Sequence, residues 1–133
     1  MKILILYIAL AFSGIAAAQE VPNDTDLDIE NGQYVLYKEH AHASYYHDKF
    51  NGRKTASGKK FNNNDLTAAH KKLPFGTKLK ITNEQNNKCV IVEITDRGPF
   101  VNGREIDLSK RAFMNIASNK KSGALTVTIE IIK

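Results

Sequence analysis

The sequence has little cysteine and no long apolar run in its main part. Cys89 is the single cysteine among 133 residues, so no internal disulfide can form. After residue 18 no stretch is apolar enough to span a bilayer, and there is no internal repeat or low-complexity tract. These absences exclude a disulfide-stapled scaffold, a multi-span membrane protein and a repeat protein. An apolar core must therefore stabilise the fold, with Cys89 expected in mid-strand as a buried, inert thiol.

The first residues have the features of a cleaved export signal. Lys2 supplies a positive charge, residues 3–12 are apolar, and residues 16–18 are three alanines that fit a cleavage site. The segment 3–18 is shorter than the ~20 apolar residues of a spanning helix, which disfavours a membrane anchor. Cys89 lies far from the cleavage site, so a lipid-modified first residue is not expected. The sequence predicts a signal peptide over 1–18 and a soluble protein of the periplasm or cell envelope, without stable membrane insertion.

Charge is unevenly distributed along the rest of the chain. Residues 19–37 contain five acids and no Lys or Arg, which is typical of a linker, and we assign an acidic linker to 19–40. Without Lys2 and those five acids, the 19 basic and 14 acidic residues leave residues 38–133 with a formal charge of +9. A basic body favours acidic polymers such as cell-wall glycan, teichoic acid or an anionic membrane surface. Export makes nucleic acid the weakest candidate, and a basic surface without a specific partner explains the charge equally well.

Short alternating segments dominate the region from residue 41 to residue 133. The clearest is 125–131, where apolar residues alternate with threonine and glutamate, and 77–83 and 88–95 show the same period. Ser109 precedes apolar residues at helical spacing, which predicts a helix over 109–117. Six or seven short strands with regular turns and one short helix predict a small, mainly-β barrel of one domain.

The segment 91–100, IVEITDRGPF, is the stretch around which the rest of the sequence is organised. Val90, Val92 and Ile94 alternate along one face, and the same alternation assigns Asp96 to that apolar face at the strand end. A turn built on Gly98 and a proline then stops the strand. A carboxyl group at the rim of an apolar sheet is a candidate acid catalyst. The alternative is ordinary turn chemistry, in which the aspartate caps its own backbone.

Asp96 and His70 are the strongest candidates for acid–base chemistry. Each ends a predicted short strand beside a turn that contains proline and glycine. If the two strands are neighbours, a carboxyl group and an imidazole meet at one rim and can cleave a glycosidic bond. The alternative for His70 is a core histidine bonded to the backbone.

Two other groups of residues compete with this pair. His40, His42 and the segment 47–48 suggest a metal site, but their spacing fits no closed zinc pattern, so neither a metal nor another cofactor is predicted. A basic and aromatic surface can bind sugars without catalysis, because aromatic rings stack on sugars and cations bind carboxylates. Its members are Tyr45, Tyr46, Lys59, Lys60, Lys71, Lys72 and Arg97.

Six motifs in fixed order carry a resemblance to a known family. Together they resemble the rare lipoprotein A family of septal-ring lytic transglycosylases over about residues 41–133. The resemblance implies a six-stranded double-psi β-barrel with one or two short helices, shared with expansins, barwin-like proteins and one class of endoglucanases. The motifs are ASYY (43–46), TASG (55–58), LTAAH (66–70), LPFGT (73–77), TDRGPF (95–100) and GREIDLS (103–109).

The resemblance implies an enzyme that cleaves denuded peptidoglycan between N-acetylmuramic acid and N-acetylglucosamine. Asp96 would be the catalytic acid, His70 its partner, and one carboxyl group would act twice to leave a 1,6-anhydro end. Glu93 is expected on the opposite strand face, and Asp107 as a structural partner of the backbone or Arg104. The expected substrate-binding residues are Tyr46, Ser57, Lys59, Thr95 and Arg97.

The sequence departs from the family pattern at Lys59. The family commonly has an acid there that is implicated in activity, and a lysine cannot serve as an acidic partner at neutral pH. The alternative function is therefore a non-catalytic, expansin-like protein that binds cell-wall glycan. Without a lipid-attachment cysteine or a C-terminal glycan-binding SPOR domain, we expect a soluble monomer whose partners are glycan strands and septal or cell-wall proteins.

Overall fold

The computed structural model describes residues 33–133. The predicted signal peptide and residues 19–32 of the predicted linker lie outside the described residues. The described part contains six strands, one 3₁₀ turn and one α-helix, which confirms the predicted mainly-β barrel with short helices. The strands are β1 (Tyr34–Tyr45), β2 (Thr67–His70), β3 (Lys78–Asn83), β4 (Cys89–Asp96), β5 (Ile106–Leu108) and β6 (Leu125–Ile132); the 3₁₀ turn is Asp48–Phe50 and the helix α1 is Lys110–Ile116.

The six strands close into one barrel in the order β1-β5-β2-β4-β3-β6. The pairs β1–β5 and β2–β4 are parallel, and the other neighbours are antiparallel. β1 already pairs with β6 at Tyr34, which lies opposite Ile132. The barrel therefore begins at Tyr34 rather than at the predicted residue 41, because the chain that precedes residue 41 is held in the sheet by β6.

Alternating side chains fill the barrel as the sequence pattern predicts. In β3, Leu79 and Ile81 are fully buried while Lys78 and Lys80 lie on the outer face. Each such aliphatic side chain contributes roughly 1.5–3 kcal/mol when fully buried. The core is thus built from short apolar faces of all six strands and of α1. Its largest members are Phe113, Leu79, Ile81, Ile94, Ile106, Leu108, Ile116 and Ile129.

Helix α1 begins and ends at polar contacts. The Ser109 hydroxyl accepts a hydrogen bond from the backbone N–H of Ala112 at 3.3 Å, which confirms the predicted N-cap. At the other end, the buried Asn83 side chain donates to the Ile116 carbonyl at 2.7 Å and so fastens the helix to β3. Among residues 33–133 no helix is long and apolar enough to cross a membrane.

Cys89 begins β4 rather than lying in mid-strand. It pairs with Thr82 at the hairpin end of β3 and is half-buried, so the expectation of a fully buried thiol is wrong. The reason is positional: the first residue of a strand beside a polar hairpin loop has less of the sheet covering it. The thiol is free.

Candidate active site

A β-bulge in β4 decides the direction of the Asp96 side chain. Thr67 of β2 lies opposite Glu93 of β4. Two residues later Ala69 lies opposite Asp96, which makes Thr95 the extra residue of a bulge. Side chains paired across neighbouring strands point to the same face, so Glu93 and Asp96 share a face. The expectation that Asp96 lies on the apolar face is therefore wrong, whereas Glu93 lies on the opposite face as expected and shares that face with Asp96.

Asp96 belongs to a row of residues on the outer face of the barrel. The core row beside it contains Ile94, Ala68 and Leu108, which lie opposite one another and are buried. The outer row crosses four strands, with neighbouring strands about 4.8 Å apart. Asp96 and Asp107 therefore stand two strands apart on one surface. The row consists of Asp96, Ala69, Asp107 and Ser44.

The half-buried Asp96 carboxyl group accepts three hydrogen bonds. Its Oδ1 accepts from the backbone N–H of Ala56 and of Arg97, both at 2.9 Å. Its Oδ2 accepts from the Tyr46 hydroxyl at 2.6 Å. Since Oδ1 is occupied by two N–H donors, a proton carried by this acid belongs on Oδ2, beside the tyrosine.

Tyr46 is a rigidly held neighbour of Asp96. Its ring stacks on Phe61 at a centroid distance of 4.3 Å and meets Phe50 edge-on at 5.6 Å. Burial raises the pKa of the Tyr46 hydroxyl, and its hydrogen bond to Asp96 and the nearby charges of Asp96 and Asp107 raise this pKa further. The phenol therefore stays a neutral donor. Tyr46 is one of the predicted substrate-binding residues, and the structure adds a direct hydrogen bond to the candidate acid.

The TASG loop covers the bulge. Its turn is closed by Thr55, whose N–H and hydroxyl both donate to the Lys59 carbonyl at 2.8 and 2.7 Å. Gly58 has φ +95°, in the left-handed region that favours glycine. The Ser57 N–H donates to the carbonyl of Thr95 at 3.2 Å. Ser57 and Thr95 thus lie together beside Asp96, with Thr95 buried, and their roles in substrate binding stay predictions.

His70 is buried and fully engaged with other partners. Its Nδ1 accepts hydrogen bonds from the backbone N–H of Lys72 at 3.1 Å and of Leu73 at 3.2 Å. Nδ1 therefore has no proton, and the neutral ring carries its hydrogen on Nε2. That nitrogen lies 2.7 Å from Oε2 of Glu105, to which it donates. The imidazole holds the start of the LPFGT loop.

His70 and Asp96 lie on adjacent strands, but their side chains leave opposite faces. His70 lies opposite Ile106 on the same face as the core row, whereas Asp96 is in the outer row. The two groups do not meet at one rim as expected, because the bulge turns Asp96 outward. Arg97 connects them instead: its N–H binds Asp96, and its Nη1 donates to the carbonyls of His70 at 3.3 Å and Leu73 at 2.9 Å.

Glu105 supports His70 and was not predicted as a site residue. Burial alone would raise the pKa of Glu105, but hydrogen bonds from Lys38 and His70 outweigh it and lower the pKa below its usual value. The Lys38 ammonium lies 2.9 Å from Oε1. The carboxylate therefore stays charged and fixes the ring.

Two ion pairs flank Asp96 on the outer face. Lys59 Nζ lies 3.1 Å from Oε2 of Glu93, and Arg104 Nη2 lies 2.6 and 2.7 Å from the two oxygens of Asp107. The second pair confirms the expected structural pairing of Asp107. The outward direction of the Asp107 side chain follows from the alternation in β5, so the sequence pattern was enough to predict it. Alternation in β4 also assigns Glu93 to the outer face, but no sequence signal shows that the bulge brings Asp96 to that same face.

The histidines considered as metal ligands have separate local partners. His40 Nδ1 lies 2.7 Å from Oε1 of Glu84, and this hydrogen bond raises the pKa of His40. His47 Nδ1 accepts from the N–H of Lys49 at 3.0 Å and caps the 3₁₀ turn. In the described range 33–133, no group of three or more His, Cys, Asp or Glu is arranged to hold a metal ion.

The geometry suits proton transfer by a single carboxyl group. Asp96 is half-exposed, oriented by two backbone donors and held against a neutral phenol. Neighbouring ion pairs supply donors and acceptors for a polar substrate. A carboxyl group so placed can give a proton to a leaving oxygen and take one back from an attacking hydroxyl.

Comparison with known proteins identifies similar sequences. A family model described as "Lytic transglycolase" matches residues 38–129. The chain is 54% identical over 91 residues to "Endolytic peptidoglycan transglycosylase RlpA" of Pasteurella multocida, covering 68% of the chain and 31% of that relative. It is 52% identical over 90 residues to the protein of the same name from Campylobacter jejuni, covering 68% of the chain and 32% of that relative. The chain thus spans about a third of the length of these relatives.

Solved structures show the same fold at low sequence identity. The apo expansin of Clavibacter michiganensis aligns with a TM-score of 0.57 and 18% identity, over 71% of this chain and 50% of that one. The Streptomyces papain inhibitor aligns with a TM-score of 0.56 and 20% identity, over 76% of this chain and 96% of that one. With the family match, these alignments confirm the predicted double-psi β-barrel.

Proposed function

Because the chain belongs to the lytic transglycolase family of double-psi β-barrels, we propose that it is a lytic transglycosylase acting on peptidoglycan. Its relatives in Pasteurella multocida and Campylobacter jejuni are named for this activity. The observation that carries the proposal is the half-exposed Asp96 carboxyl group, oriented on Oδ1 by two backbone donors and on Oδ2 by Tyr46. The substrate we propose is the denuded glycan strand, cut between N-acetylmuramic acid and N-acetylglucosamine.

Asp96 acts twice in the proposed reaction. Its Oδ2–H gives a proton to the glycosidic oxygen, and the bond from that oxygen to C1 of the muramic residue breaks. Positive charge develops at C1 as the alcohol leaves. The Asp96 carboxylate then takes the proton of the muramic C6 hydroxyl, whose oxygen attacks C1 and closes the 1,6-anhydro ring. The acid is regenerated, no second carboxylate takes part, and no water is consumed.

His70 has a positioning role in this proposal. Its imidazole is bonded to Glu105 and to the LPFGT loop, and its carbonyl receives the Arg97 guanidinium. Arg97 in turn donates its N–H to Oδ1 of Asp96. Loss of the imidazole would loosen this chain of contacts and misalign the acid. The proposed role is thus orientation of Asp96 rather than proton exchange with it.

The proposal implies a location outside the cytoplasm, where peptidoglycan lies. A signal peptide over 1–18 fits that location, as does the basic charge of the remaining chain. We propose that the protein works as a soluble monomer in the periplasm or cell envelope. Recruitment by septal or cell-wall proteins is part of the same proposal.

The Asp96→Asn variant tests the reaction. The amide oxygen can still accept both backbone N–H groups, but the side chain cannot act as an acid, so 1,6-anhydro products should fall by about 10²–10⁴-fold. The assay incubates the protein with denuded glycan strands and detects 1,6-anhydro ends by mass spectrometry. Glu39→Gln, an exposed carboxyl on β1, is the matched control and should keep wild-type activity. Binding of the glycan by the Asp96→Asn protein should persist.

The outcome of this assay also decides between the enzyme and the non-catalytic, expansin-like alternative. If the wild-type protein binds denuded glycan but produces no 1,6-anhydro ends, the proposed reaction does not occur. Equal product yields from wild-type and Asp96→Asn proteins would instead remove Asp96 from the reaction.

A further inference from the structure

A small cavity lies next to Asp96, with Thr95, the neighbour of Asp96 in the chain, on its wall. Its volume is about 220 Å³, below the about 300–1,000 Å³ of sites that take drug-sized ligands. That size suits a single sugar ring. The residues on its walls that matter here are Lys59, Asn62, Asp65, Thr67, Glu93 and Thr95.

The cavity is aligned with the candidate acid by the bulge in β4. Glu93 and Asp96 lie opposite Thr67 and Ala69, which are two residues apart on β2. Two residues of a strand span about 7 Å, so the carboxyl groups of Glu93 and Asp96 follow one another along the same surface. A sugar held by Glu93 therefore lies next to the bond that Asp96 would cleave.

The charges around the cavity cancel, although the body of the protein is strongly basic. Lys59 and Lys60 are balanced by Asp65 and Glu93. The remaining polar groups of the walls are threonine hydroxyls and an asparagine amide, which bind hydroxyl and acetamido groups. A neutral wall of this kind does not select an anion. In denuded glycan the muramic residue carries a carboxylate, whereas N-acetylglucosamine is neutral.

The Lys59–Glu93 pair is accessible to such a sugar. The side chain of Lys59 is 67% exposed and that of Glu93 33% exposed, so the pair adds little to stability. Lys59 Nζ bonds to Oε2 of Glu93, which leaves the other carboxylate oxygen to accept a sugar hydroxyl. The ammonium has two further hydrogens to donate. Together they present an acceptor and donors at fixed spacing.

From these observations we propose that Lys59 and Glu93 form a subsite for one neutral N-acetylhexosamine, placed next to Asp96. The inference rests on the proposed function, because it names the sugar-binding part of the same groove. Glu93 accepts hydroxyl hydrogen bonds from the sugar, and Lys59 holds and complements that carboxylate. Lys59 then has a binding role in this chain and need not disable the acid.

Titration with the N-acetylglucosamine tetramer tests the subsite without any turnover. Nuclear magnetic resonance of the labelled full-length protein follows the amide signals of Thr67, Glu93 and Thr95, which should shift on addition of the tetramer. Glu93→Ala should weaken binding by about tenfold or more, because a hydrogen bond to a charged group is lost. Glu93→Gln keeps an oxygen acceptor and should lose less. Glu39→Ala, an exposed carboxyl on β1, is the control and should bind as wild type.

A charge exchange tests whether Lys59 and Glu93 bind the sugar as a pair rather than independently. Lys59→Glu sets two carboxylates against each other and should weaken binding, and the double variant Lys59→Glu with Glu93→Lys should recover part of the loss. Denaturant unfolding of each variant checks that the fold is intact. The inference is overturned if Glu93→Ala and Lys59→Glu bind the tetramer within twofold of wild type. It is also overturned if denuded glycan binds while the neutral tetramer does not.

The two proposals fail in distinguishable ways. Absence of 1,6-anhydro ends from the wild-type protein would end the transglycosylase proposal and leave the tetramer titration unaffected. Tetramer binding that is insensitive to Lys59 and Glu93, together with normal 1,6-anhydro products, would end only the subsite.

Discussion

Replacement of Tyr46 by phenylalanine removes one hydroxyl from the site and leaves its surroundings in place. The ring stays between Phe61 and Phe50, so no large cavity forms. What is lost is the 2.6 Å hydrogen bond to Oδ2 of Asp96, the oxygen that we propose carries the acidic proton. The two backbone bonds to Oδ1 remain, so the carboxyl group stays in the site but loses its second anchor.

The size of the effect follows from that single bond. A hydrogen bond to a charged group contributes about 1.5–3 kcal/mol, and about 1.36 kcal/mol corresponds to a tenfold rate change. Tyr46→Phe should therefore lower kcat for 1,6-anhydro formation by between about tenfold and about 150-fold. KM should change little, because the hydroxyl is bonded to the acid rather than to the sugar in this proposal.

The assay measures kcat and KM separately on denuded glycan strands. Tyr45→Phe is the matched control, since Tyr45 lies on the other strand face with its ring 4.6 Å from that of Phe113. A kcat for Tyr46→Phe within twofold of that for Tyr45→Phe would refute the reasoning. So would a large rise in KM at unchanged kcat, which would return Tyr46 to a role in substrate binding alone.

Two further predictions concern stability. The pKa of Glu105 is lowered in the folded state from its ordinary value of 4.5, so its contribution is present above that value and lost as pH falls through the folded pKa. The free energy of unfolding of the wild-type protein, measured in urea, should decrease as pH falls below about 4.5, and Glu105→Gln should flatten this pH dependence. An equal pH dependence in the two proteins would contradict the stabilising role of the Glu105 carboxylate. Asn83→Ala should lower the free energy of unfolding by about 0.5–1.5 kcal/mol, because its hydrogen bond to the Ile116 carbonyl is lost while Asn86 still donates to that carbonyl at 3.0 Å. Asn115→Ala on the exposed face of α1 is its control, and denaturant unfolding measures both.

Local patterns in the sequence were sufficient to predict most of the strands and the helix. The alternation of Leu79 and Ile81 with lysines predicts β3 and its buried face, since the period of a strand is two residues. Ser109 predicts the start of α1 because its hydroxyl can accept from the first turn. These signals are local, so they need no knowledge of which strands are neighbours.

The arrangement of the candidate site required pairing between distant strands. The bulge at Thr95 appears only in the register between β2 and β4, and one inserted residue moves every later side chain to the other face. Simple alternation therefore assigned Asp96 to the wrong face and separated it from Glu93. The partner of His70 is likewise distant in sequence: Glu105 reaches it through the β2–β5 pairing.

The sequence by itself determined most of the strands, the capped helix and the order of motifs that marks the family, because periodicity, capping and motif order are properties of the chain alone. Only the tertiary structure decided that Asp96 faces outward beside Tyr46 and Glu93 while the buried His70 imidazole binds Glu105. The physical reason is that the face of a side chain depends on the register between strands, and a single bulge reverses it.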